Sequence, residues 1–431
     1  MSARGAVWAA STAFATVFGV AAILRHRAFG SGRFDLGNMT QAVWSTAHGD
    51  MLSVTDVHGE QISRLGAHFD PILAALAPLW WVWPSPELLL VVQAAAVGAG
   101  AGPVFLLARR HLGDERAAGA LAAAYLLSPP VQWLTVSDFH PVALACPLLL
   151  FAWWQLDQRR LWTFALLALA AIAAKEHVGL AVAGIGVWYA VRHRETRSGA
   201  AIAVVGVASA LAAALVVIPH FAPAGASAFE RRYESPSLDG RDGSYLASLL
   251  LPLALVPLAA PLALLAALPE LALNALSSAT AQTSVKSHYA ATAVPALLAA
   301  ATFGSARLGA RAAYAVAVAA LAGMVALGPL GRIDVRAGPG DAAAQRALAL
   351  VPDDAPVSAT NALGAHLSDR KRIFSFPVLR EAEWVVVDER RLTYLDSLEP
   401  GPSALSVAML RASPRWRLVF AESGVLVFRR S

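Results

Sequence analysis

The sequence predicts an all-α polytopic membrane protein that carries a small α/β domain at its C-terminal end. Of its 431 residues, 57% are hydrophobic and only 15% are charged, and the mean hydropathy is +0.55. Apolar runs recur through the first 330 residues, and about 20 apolar residues let a helix cross the hydrocarbon core. The last hundred residues are richer in charge and their apolar runs are shorter. The membrane is therefore expected to be the solvent for most of the chain.

Counting each apolar run between charged or Pro/Gly-rich breaks as one crossing gives about eleven transmembrane helices. The predicted spans are 7–24, 86–108, 117–135, 141–156, 161–175, 177–191, 199–219, 245–260, 262–276, 290–306 and 310–329. The pair around Pro257 and Pro261 could instead be a broken or re-entrant helix. The predicted domains are a transmembrane domain over 1–330, with a long first external loop at 25–85, and a soluble α/β domain over 331–431.

Arginine placement predicts the orientation. With these spans, the loops "ARRHLGDER", "DQRR" and "RHRETRSG" and the stretch 307–311 all fall on one side. The positive-inside rule makes that side cytoplasmic, together with the N-terminus, and an odd number of spans then places the C-terminal domain outside. A multi-pass protein of the cell membrane is expected, its first run 7–24 being a retained anchor rather than a signal peptide. The net charge of +5 sits at span ends and gives no reason to expect nucleic acid, and the oligomeric state stays open.

The C-terminal hundred residues alternate between strand-like and helix-like stretches. "APVSAT", "RIFSFP" and "EWVVVDER" predict strands, and "WRLVFAESGVLVFRR" predicts a terminal hairpin. "AAAQRALALV", "NALGAHLSD" and "ALSVAMLRAS" predict helices, so the segment is expected to be an α/β domain. The sequence contains no nucleotide-binding glycine motif and no nucleophile elbow. Its single cysteine, Cys146, allows no disulfide within the chain.

Asp35 follows the first apolar run and opens a predicted amphipathic helix. The predicted apolar stripe would lie on the membrane surface, with a polar side opposite it. The stripe consists of Leu36, Met39, Val43 and Trp44, and the polar side of Asn38, Thr40 and Gln41. Asp35 could cap the helix by accepting backbone N–H groups, or it could act as a general base at the membrane edge. From residue type alone, the cap is favoured by about two to one.

Two short motifs, "HFDP" and "DFHP", suggest a divalent metal or a pair of helix starts. Their four histidine and aspartate side chains are suitable metal ligands. They are His68, Asp70, Asp138 and His140. Each motif also ends in proline followed by an apolar run, which is typical of a helix N-terminus. The metal hypothesis is therefore the weaker of the two.

Further polar groups stand between apolar runs. Lys175 and Glu176 in "AAKEHVGLAV" are ionisable groups near hydrocarbon, where such groups are costly. Lys175 could neutralise a phosphate, and Glu176 could orient it or act as an acid or base. His288 and Tyr289 in "SVKSHY" offer donors for an anionic headgroup, although an ordinary solvated loop is equally consistent. Arginines 231, 232 and 241 could contact lipid phosphate or belong to a charged loop.

The order of these motifs resembles a family of bacterial predicted membrane proteins, domain of unknown function 2079. "FDLG…Q..W" at 34–44 is followed by the "HFDP", "DFH" and "KE" motifs, then by "LPELALNALS" and "HY", and finally by the C-terminal pattern. The resemblance covers nearly the whole chain. It implies that the substrate and lipid-phosphate ligands are Gln41, His68, Asp138, His140, Lys175, Glu176, His288 and Tyr289.

The resemblance further implies an architecture similar to the GT-C class of integral membrane glycosyltransferases, which take sugar from a polyprenyl-phosphate carrier. Asp35 matches the acidic position in their first external loop and would be the base that activates the acceptor. The paired acids of several GT-C groups are absent, because "GRFD" carries one carboxylate. The expected function is a cell-envelope glycosyltransferase. The alternatives are a transporter or lipid flippase, with polar groups near the midplane, and a non-enzymatic scaffold.

Overall fold

The fold is described from a computed structural model, which covers residues 2–222, 233, 240–338, 340–397 and 403–431. Two arginines considered as lipid-phosphate contacts, Arg231 and Arg232, lie outside the described residues.

The described chain is mostly helical. The α-helices are α1 (Ala3–Arg27), α2 (Asn38–Ala47), α3 (Ala77–Trp80), α4 (Glu87–Ala99), α5 (Ala101–Leu112), α6 (Glu115–Leu127), α7 (Pro129–Val136), α8 (Val142–Asp157), α9 (Leu161–Ile172), α10 (Val178–His193), α11 (Thr196–Ala212) and α12 (Ile218–Phe221). They continue as α13 (Gly240–Leu250), α14 (Pro261–Leu264), α15 (Leu268–Leu276), α16 (Ala293–Leu308), α17 (Ala310–Leu327), α18 (Asp341–Leu348), α19 (Asn361–Gly364) and α20 (Ser403–Ala412). The strands are β1 (Ser53–Thr55), β2 (Gln61–Ser63), β3 (Val357–Ala359), β4 (Ile373–Ser375), β5 (Trp384–Asp388), β6 (Trp416–Glu422) and β7 (Val425–Arg430).

Four helical stretches are long and apolar enough to cross a membrane among the described residues. They are Ala3–Arg27, Glu87–Leu112, Thr196–Phe221 and Ala310–Leu327. Shorter apolar helices, including α8, α9, α10 and α16, coincide with other predicted spans. The helical class and the apolar segments are thus confirmed, whereas eleven crossings remain a prediction.

The segment between residues 240 and 276 is interrupted, which was one of the two alternatives for this part of the chain. Ala254 and Leu255 have positive φ angles of 52° and 58°. A proline stands at or near the start of three of the short helices. Helix α14 starts at Pro261, and the two preceding 3₁₀ turns contain Pro252 and Pro257. Proline lacks the N–H that would continue a helix. The spans predicted at 245–260 and 262–276 are therefore sets of short helices.

Contacts divide the described chain into two compact units. Unit 1 comprises Met1–Val20, Ala67–Ile72 and Val91–Ile333. Its helices α10 and α11 approach each other through glycine. A Cβ atom added to Gly179 would lie 2.4 Å from the carbonyl oxygen of Gly206, and one on Gly186 would lie 2.8 Å from that of Gly199. Only glycine lets these two backbones come so close.

Unit 2 comprises Ala21–Gly66, Leu73–Leu90 and Asp334–Ser431. Its five-stranded sheet has the order β4-β3-β5-β7-β6, with β3 parallel to β4 and β5, and β7 antiparallel to β5 and β6. Successive side chains of a strand point to opposite faces. Val386 accordingly belongs to one buried cluster with α18, and Val385 and Val387 belong to another with α20. The predicted small α/β fold and its terminal hairpin are present.

Unit 2 also contains most of the segment predicted as the first external loop. Residues 21–66 and 73–90 belong to the same compact unit as the C-terminal segment 334–431. The strands β1 and β2 form a small antiparallel sheet within this loop. The sequence predicted two domains that are each continuous, with a boundary at residue 330. Each compact unit of the structure instead consists of three separate segments of the chain. The extent of the membrane domain itself stays a prediction.

Candidate functional site

The turn between α9 and α10 carries three consecutive ionisable residues, Lys175, Glu176 and His177. Glu176 accepts from the Nδ1 atom of His68 at 3.1 Å through Oε1 and from the backbone N–H of Phe69 at 3.2 Å through Oε2. The N–H of Ile72 donates to the carbonyl oxygen of Ala173 at 2.9 Å. The "HFDP" and "KEH" motifs, which are about a hundred residues apart in sequence, are thereby held together.

Glu176 is ionised at neutral pH. Burial raises the pKa of this carboxyl, but His68, Lys175 and His177 outweigh burial and hold the pKa well below its usual range. An opposite charge within a few ångströms favours the ionised form in this way. The side chain of Glu176 nevertheless remains 21% exposed, so it lies at an edge of the unit.

His177 pairs with a second carboxylate. Its Nε2 atom lies 2.7 Å from Oε2 of Glu270, an ion-pair contact, and Glu270 also accepts from the hydroxyl of Thr292. Burial lowers the pKa of His177, but the charge and hydrogen bonding of Glu270 and the charge of Glu176 raise it above its ordinary value. The folded chain therefore favours a protonated His177. Glu270 is 4% exposed, and its position on α15 was not anticipated from the sequence.

Lys175 is the cation of this turn that has no ion-pair partner. It is half-buried, and within the described part of the chain no carboxylate forms an ion pair with its ammonium group. Its charge acts on Glu176 without such a contact. A half-buried ammonium group without a carboxylate partner is chemically suited to bind a phosphate.

The second group of predicted ligands meets at a stack of rings. The rings of His140 and His288 lie face to face, with centroids 3.6 Å apart, and Tyr289 follows with its centroid 4.1 Å from that of His288. The carbonyl oxygen of Tyr289 accepts from Asn274 at 2.7 Å. Asn274 and Glu270 lie on α15 one turn apart. The helix α15 therefore connects the histidine stack to the His177 pair.

Gln93 on α4 holds the "DFH" motif. Its Nε2 group donates to the carbonyl oxygens of Thr135, Ser137 and Asp138, and its Oε1 atom accepts from the N–H of His140 at 3.0 Å. The Nδ1 atom of His140 lies 2.9 Å from the carbonyl oxygen of Asp138, so this nitrogen carries the proton. Gln93 is fully buried. The Gln93 amide therefore fixes the backbone of the motif, and the carbonyl oxygen of Asp138 sets the tautomer of His140.

Seven of the predicted binding residues thus belong to one connected region of unit 1. They are His68, Asp138, His140, Lys175, Glu176, His288 and Tyr289. No group of three or more histidine, cysteine, aspartate or glutamate side chains that could hold a metal occurs among the described residues. The set His68, Asp70, Asp138 and His140 does not converge as a four-ligand site. A divalent metal stays a prediction.

Asp35 belongs to unit 2 and lies in a π-helical turn, Arg33–Gly37. The N-cap of this turn is Gly32, and that of the following helix α2 is Gly37. Asp35 is inside the turn and half-buried, so the prediction that it occupies the cap position is wrong. Single π turns occur frequently at functional sites because the extra residue redirects a side chain.

The predicted surface helix around Gln41 is wrong in its polar face. Thr40 and Gln41 are as buried as Met39. The Nε2 group of Gln41 donates to Thr55 and to the carbonyl oxygens of Arg370 and Lys371, and its Oε1 atom accepts from the N–H of Thr55. Protein groups replace water around this amide, which lets α2 be buried on both sides. A role of Gln41 in ligand binding remains a prediction.

Sequence reasoning missed Gln93, Glu270 and Thr292. Each is a polar residue inside or beside an apolar run, as in "VVQAAAV" and "ALPELAL". Polar groups at membrane depth commonly face a partner, so the isolated glutamine and glutamate could have been singled out. Their partners could not, because they come from helices distant in sequence.

Comparison with known proteins places these observations in a family. The model of the predicted membrane protein family DUF2079 matches residues 25–427. The chain belongs to this family of membrane proteins. No curated protein matches the sequence.

Two solved structures share its fold. The crystal structure of ArnT from Cupriavidus metallidurans bound to undecaprenyl phosphate superposes with a TM-score of 0.63 at 14% identity, covering 99% of this chain and 98% of ArnT. The same protein in the apo state gives a TM-score of 0.58 at 13% identity, covering 97% and 98%. The similarity spans both whole chains, so the architecture expected from the GT-C resemblance is confirmed at the level of the fold.

Proposed function

We propose that this membrane protein transfers a sugar from a polyprenyl-phosphate donor to an acceptor outside the cytoplasm. The observation that carries the proposal is Lys175, a half-buried cation without an ion-pair partner among the described residues. It lies in a chain whose fold is that of ArnT, a protein crystallised with undecaprenyl phosphate. A phosphate on a lipid carrier is the ligand that such a cation and such a fold suit best.

The proposed reaction is a direct displacement with inversion. Asp35 takes the proton of an acceptor hydroxyl, and the hydroxyl oxygen attacks the anomeric carbon of the sugar. The bond between that carbon and the phosphate oxygen breaks, and the electron pair leaves with the phosphate. Lys175 stabilises the negative charge that develops on the departing lipid phosphate.

Around Lys175, Glu176 and Glu270 set the charge balance. Each carboxylate has a histidine partner, His68 or His177. The carboxylates are therefore engaged, and the ammonium group of Lys175 is left for the phosphate. His140 and His288 would border the same ligand.

The test measures binding and transfer separately. Native mass spectrometry of the purified protein with added undecaprenyl phosphate should detect a bound lipid. The protein is then incubated with membranes that contain a panel of undecaprenyl-phosphate sugars. Transfer of the sugar should release undecaprenyl phosphate, which is measured by mass spectrometry. Asp35→Asn should keep lipid binding and abolish release, because the amide cannot accept the proton. Full release by this variant would overturn the assignment of Asp35 as the base.

The second candidate function is lipid transport. The observation in its favour is the interrupted segment 240–276, since transporters often place their sites on broken helices. A flippase would move labelled undecaprenyl phosphate across proteoliposomes without consuming a sugar donor. Transport without transfer would favour this alternative, and transfer without transport would remove it.

A further inference from the structure

The turn that carries Asp35 is bonded to the C-terminal segment inside unit 2. The N–H of Phe34 donates to Oδ1 of Asn361 at 3.3 Å. Asn361 is the first residue of α19, directly after β3, and it is 8% exposed. Its own N–H donates to Oδ1 of Asp396 at 2.6 Å, and Asp396 also accepts from the N–H and hydroxyl of Thr393. A chain of hydrogen bonds therefore runs from buried Asp396 to the residue before Asp35.

Glycines make this approach possible. A Cβ atom added to Gly32 would lie 2.8 Å from Nδ2 of Asn361, and one on Gly37 would lie 3.3 Å from Cα of Ala365. On the opposite side, a Cβ atom on Gly364 would lie 3.0 Å from Cβ of Arg33. The turn and α19 are thus in contact at both ends of the turn, where a larger side chain would force them apart.

Arg33 fixes the same turn from another direction. Its Nη2 group donates to the carbonyl oxygen of Thr55 at 2.8 Å and to that of Ile373 in β4 at 2.6 Å. Arg33 is 1% exposed. The two residues before Asp35 are therefore both anchored, Arg33 through its guanidinium group and Phe34 through its backbone N–H to Asn361.

We propose that Asn361 is a positioning residue for Asp35, through which the C-terminal α/β segment supports the proposed base. The inference rests on the proposed function. Asn361 does not touch the reacting atoms. It fixes the backbone one residue before Asp35, and a misplacement of about 1 Å in a reacting group can lower a rate about a hundredfold.

The experiment compares Asn361→Ala with wild type by hydrogen–deuterium exchange and by donor turnover. Loss of the acceptor should speed exchange in peptides covering 33–37. It should also lower kcat by about tenfold to a hundredfold, with little change in the KM for the donor, because orientation rather than binding is affected. Asn361→Ser keeps an oxygen acceptor at this position, so it should restore part of both readouts. Gln345→Ala, at an exposed position on α18, is the matched control.

Gly32→Ala tests the same contact from the other partner. Its new methyl group would press on the amide of Asn361, so it should reproduce the loss of kcat while leaving the C-terminal segment unchanged. Wild-type exchange and wild-type kcat in Asn361→Ala would overturn the inference. A general loss of stability that Asn361→Ser does not relieve would also overturn it, since that result indicates a structural role.

These outcomes are distinguishable from failure of the proposed function. If Asp35→Asn transfers sugar at the wild-type rate, the proposed base is wrong, whatever Asn361→Ala does to exchange. If Asp35→Asn is inactive and Asn361→Ala is fully active, the proposed function stands and the positioning role of Asn361 falls.

Discussion

The two ends of helix α10 carry different charge arrangements. At its N-terminal end, Glu176 and Glu270 are each matched by one histidine, and Lys175 has no ion-pair partner among the described residues. At its C-terminal end, a single buried carboxylate, Asp157 of α8, is contacted by an arginine and two histidines. Helix α10 has 16 residues, so its two ends are about 24 Å apart at about 1.5 Å per residue.

The Asp157 cluster joins three helix ends. Its carboxylate lies 2.9 Å from Nε of Arg110, 3.0 Å from Nε2 of His111 and 3.5 Å from Nε2 of His193. Arg110 and His111 end α5 and His193 ends α10, and the positive charge of Arg110 interacts well with the helix dipole there. Asp157 ends α8, where a carboxylate is unfavourable without such partners. The carboxylate of Asp157 therefore has its partners within the protein, and these contacts join α5, α8 and α10.

The charged cluster around Lys175 is available to an anionic ligand, whereas the cluster around Asp157 is not. Both ends contain histidine–carboxylate contacts, and residue type alone does not separate them. A buried carboxylate contacted by three basic side chains stabilises the protein, whereas a cation without a carboxylate can bind an anion. Substitutions at the Asp157 end should consequently lower stability, and substitutions at the Lys175 end should lower ligand affinity.

The largest expected effect is on stability, at Asp157. Replacing it with alanine leaves His111 and His193 without their carboxylate. Removing one partner of a buried charge pair costs about 3–5 kcal/mol, and the lower end applies because Arg110 is half exposed. Thermal unfolding in detergent should show a clear loss. The control is Glu195→Gln, which breaks the exposed Arg159–Glu195 pair and should cost at most about 1 kcal/mol. Equal shifts in both variants would contradict the structural role of Asp157.

The next effect is on ligand affinity, at Lys175. Lys175→Ala removes a charge-assisted contact of about 1.5–3 kcal/mol, so its Kd for undecaprenyl phosphate should rise about tenfold to a hundredfold. Its thermal stability should change little, because no ion pair is broken. The matched control is Lys371→Ala, whose side chain is 70% exposed. An unchanged Kd for Lys175→Ala would contradict the role of Lys175 as a phosphate ligand, on which the proposed function depends.

A smaller, pH-dependent effect is expected at Glu270. The folded chain raises the pKa of His177 above its ordinary 6.5, so the stability contributed by this pair is fully present below pH 6.5. It is lost as pH rises through the folded pKa. The difference in unfolding temperature between wild type and Glu270→Gln should therefore be greatest below pH 6.5 and shrink above it. A difference that grows with pH would contradict the pairing.

Glu176 should show the opposite dependence. The folded chain holds its pKa well below the ordinary 4.5, so its contribution is present above pH 4.5 and is lost as pH falls through the folded pKa. Glu176→Gln should therefore destabilise the protein at neutral pH but not in strong acid. Thermal unfolding across that range checks the sign.

The sequence located most of the candidate site but not its connections. The motifs at His68, His140, Lys175 and His288 stood out because polar groups are rare and costly in apolar runs. Their meeting within unit 1 depends on Gln93, Glu270 and Asn274, which bond to residues far away in sequence. Spacing along one helix does not reveal which neighbouring helix faces it.

The same distinction applies to Asp35 and Gln41. The sequence singled out both residues in one short stretch and predicted a polar face in water. The structure buries Gln41 against the backbone of 370 and 371 and places Asp35 in a π turn beside Asn361. An amide whose hydrogen bonds are all made to protein groups can be buried. Hydropathy patterns do not show whether protein groups replace water as its partners.

The sequence by itself determined the membrane class, the apolar segments and the C-terminal α/β fold. These follow from composition and periodicity, which set where each residue can be buried. Only the tertiary structure decided that the first loop and the C-terminal segment form one unit, that Asp157 meets Arg110, His111 and His193, and that Lys175 has no carboxylate in contact among the described residues. Those outcomes depend on distances of a few ångströms between side chains of different helices, and charge interactions fall off over the same distances.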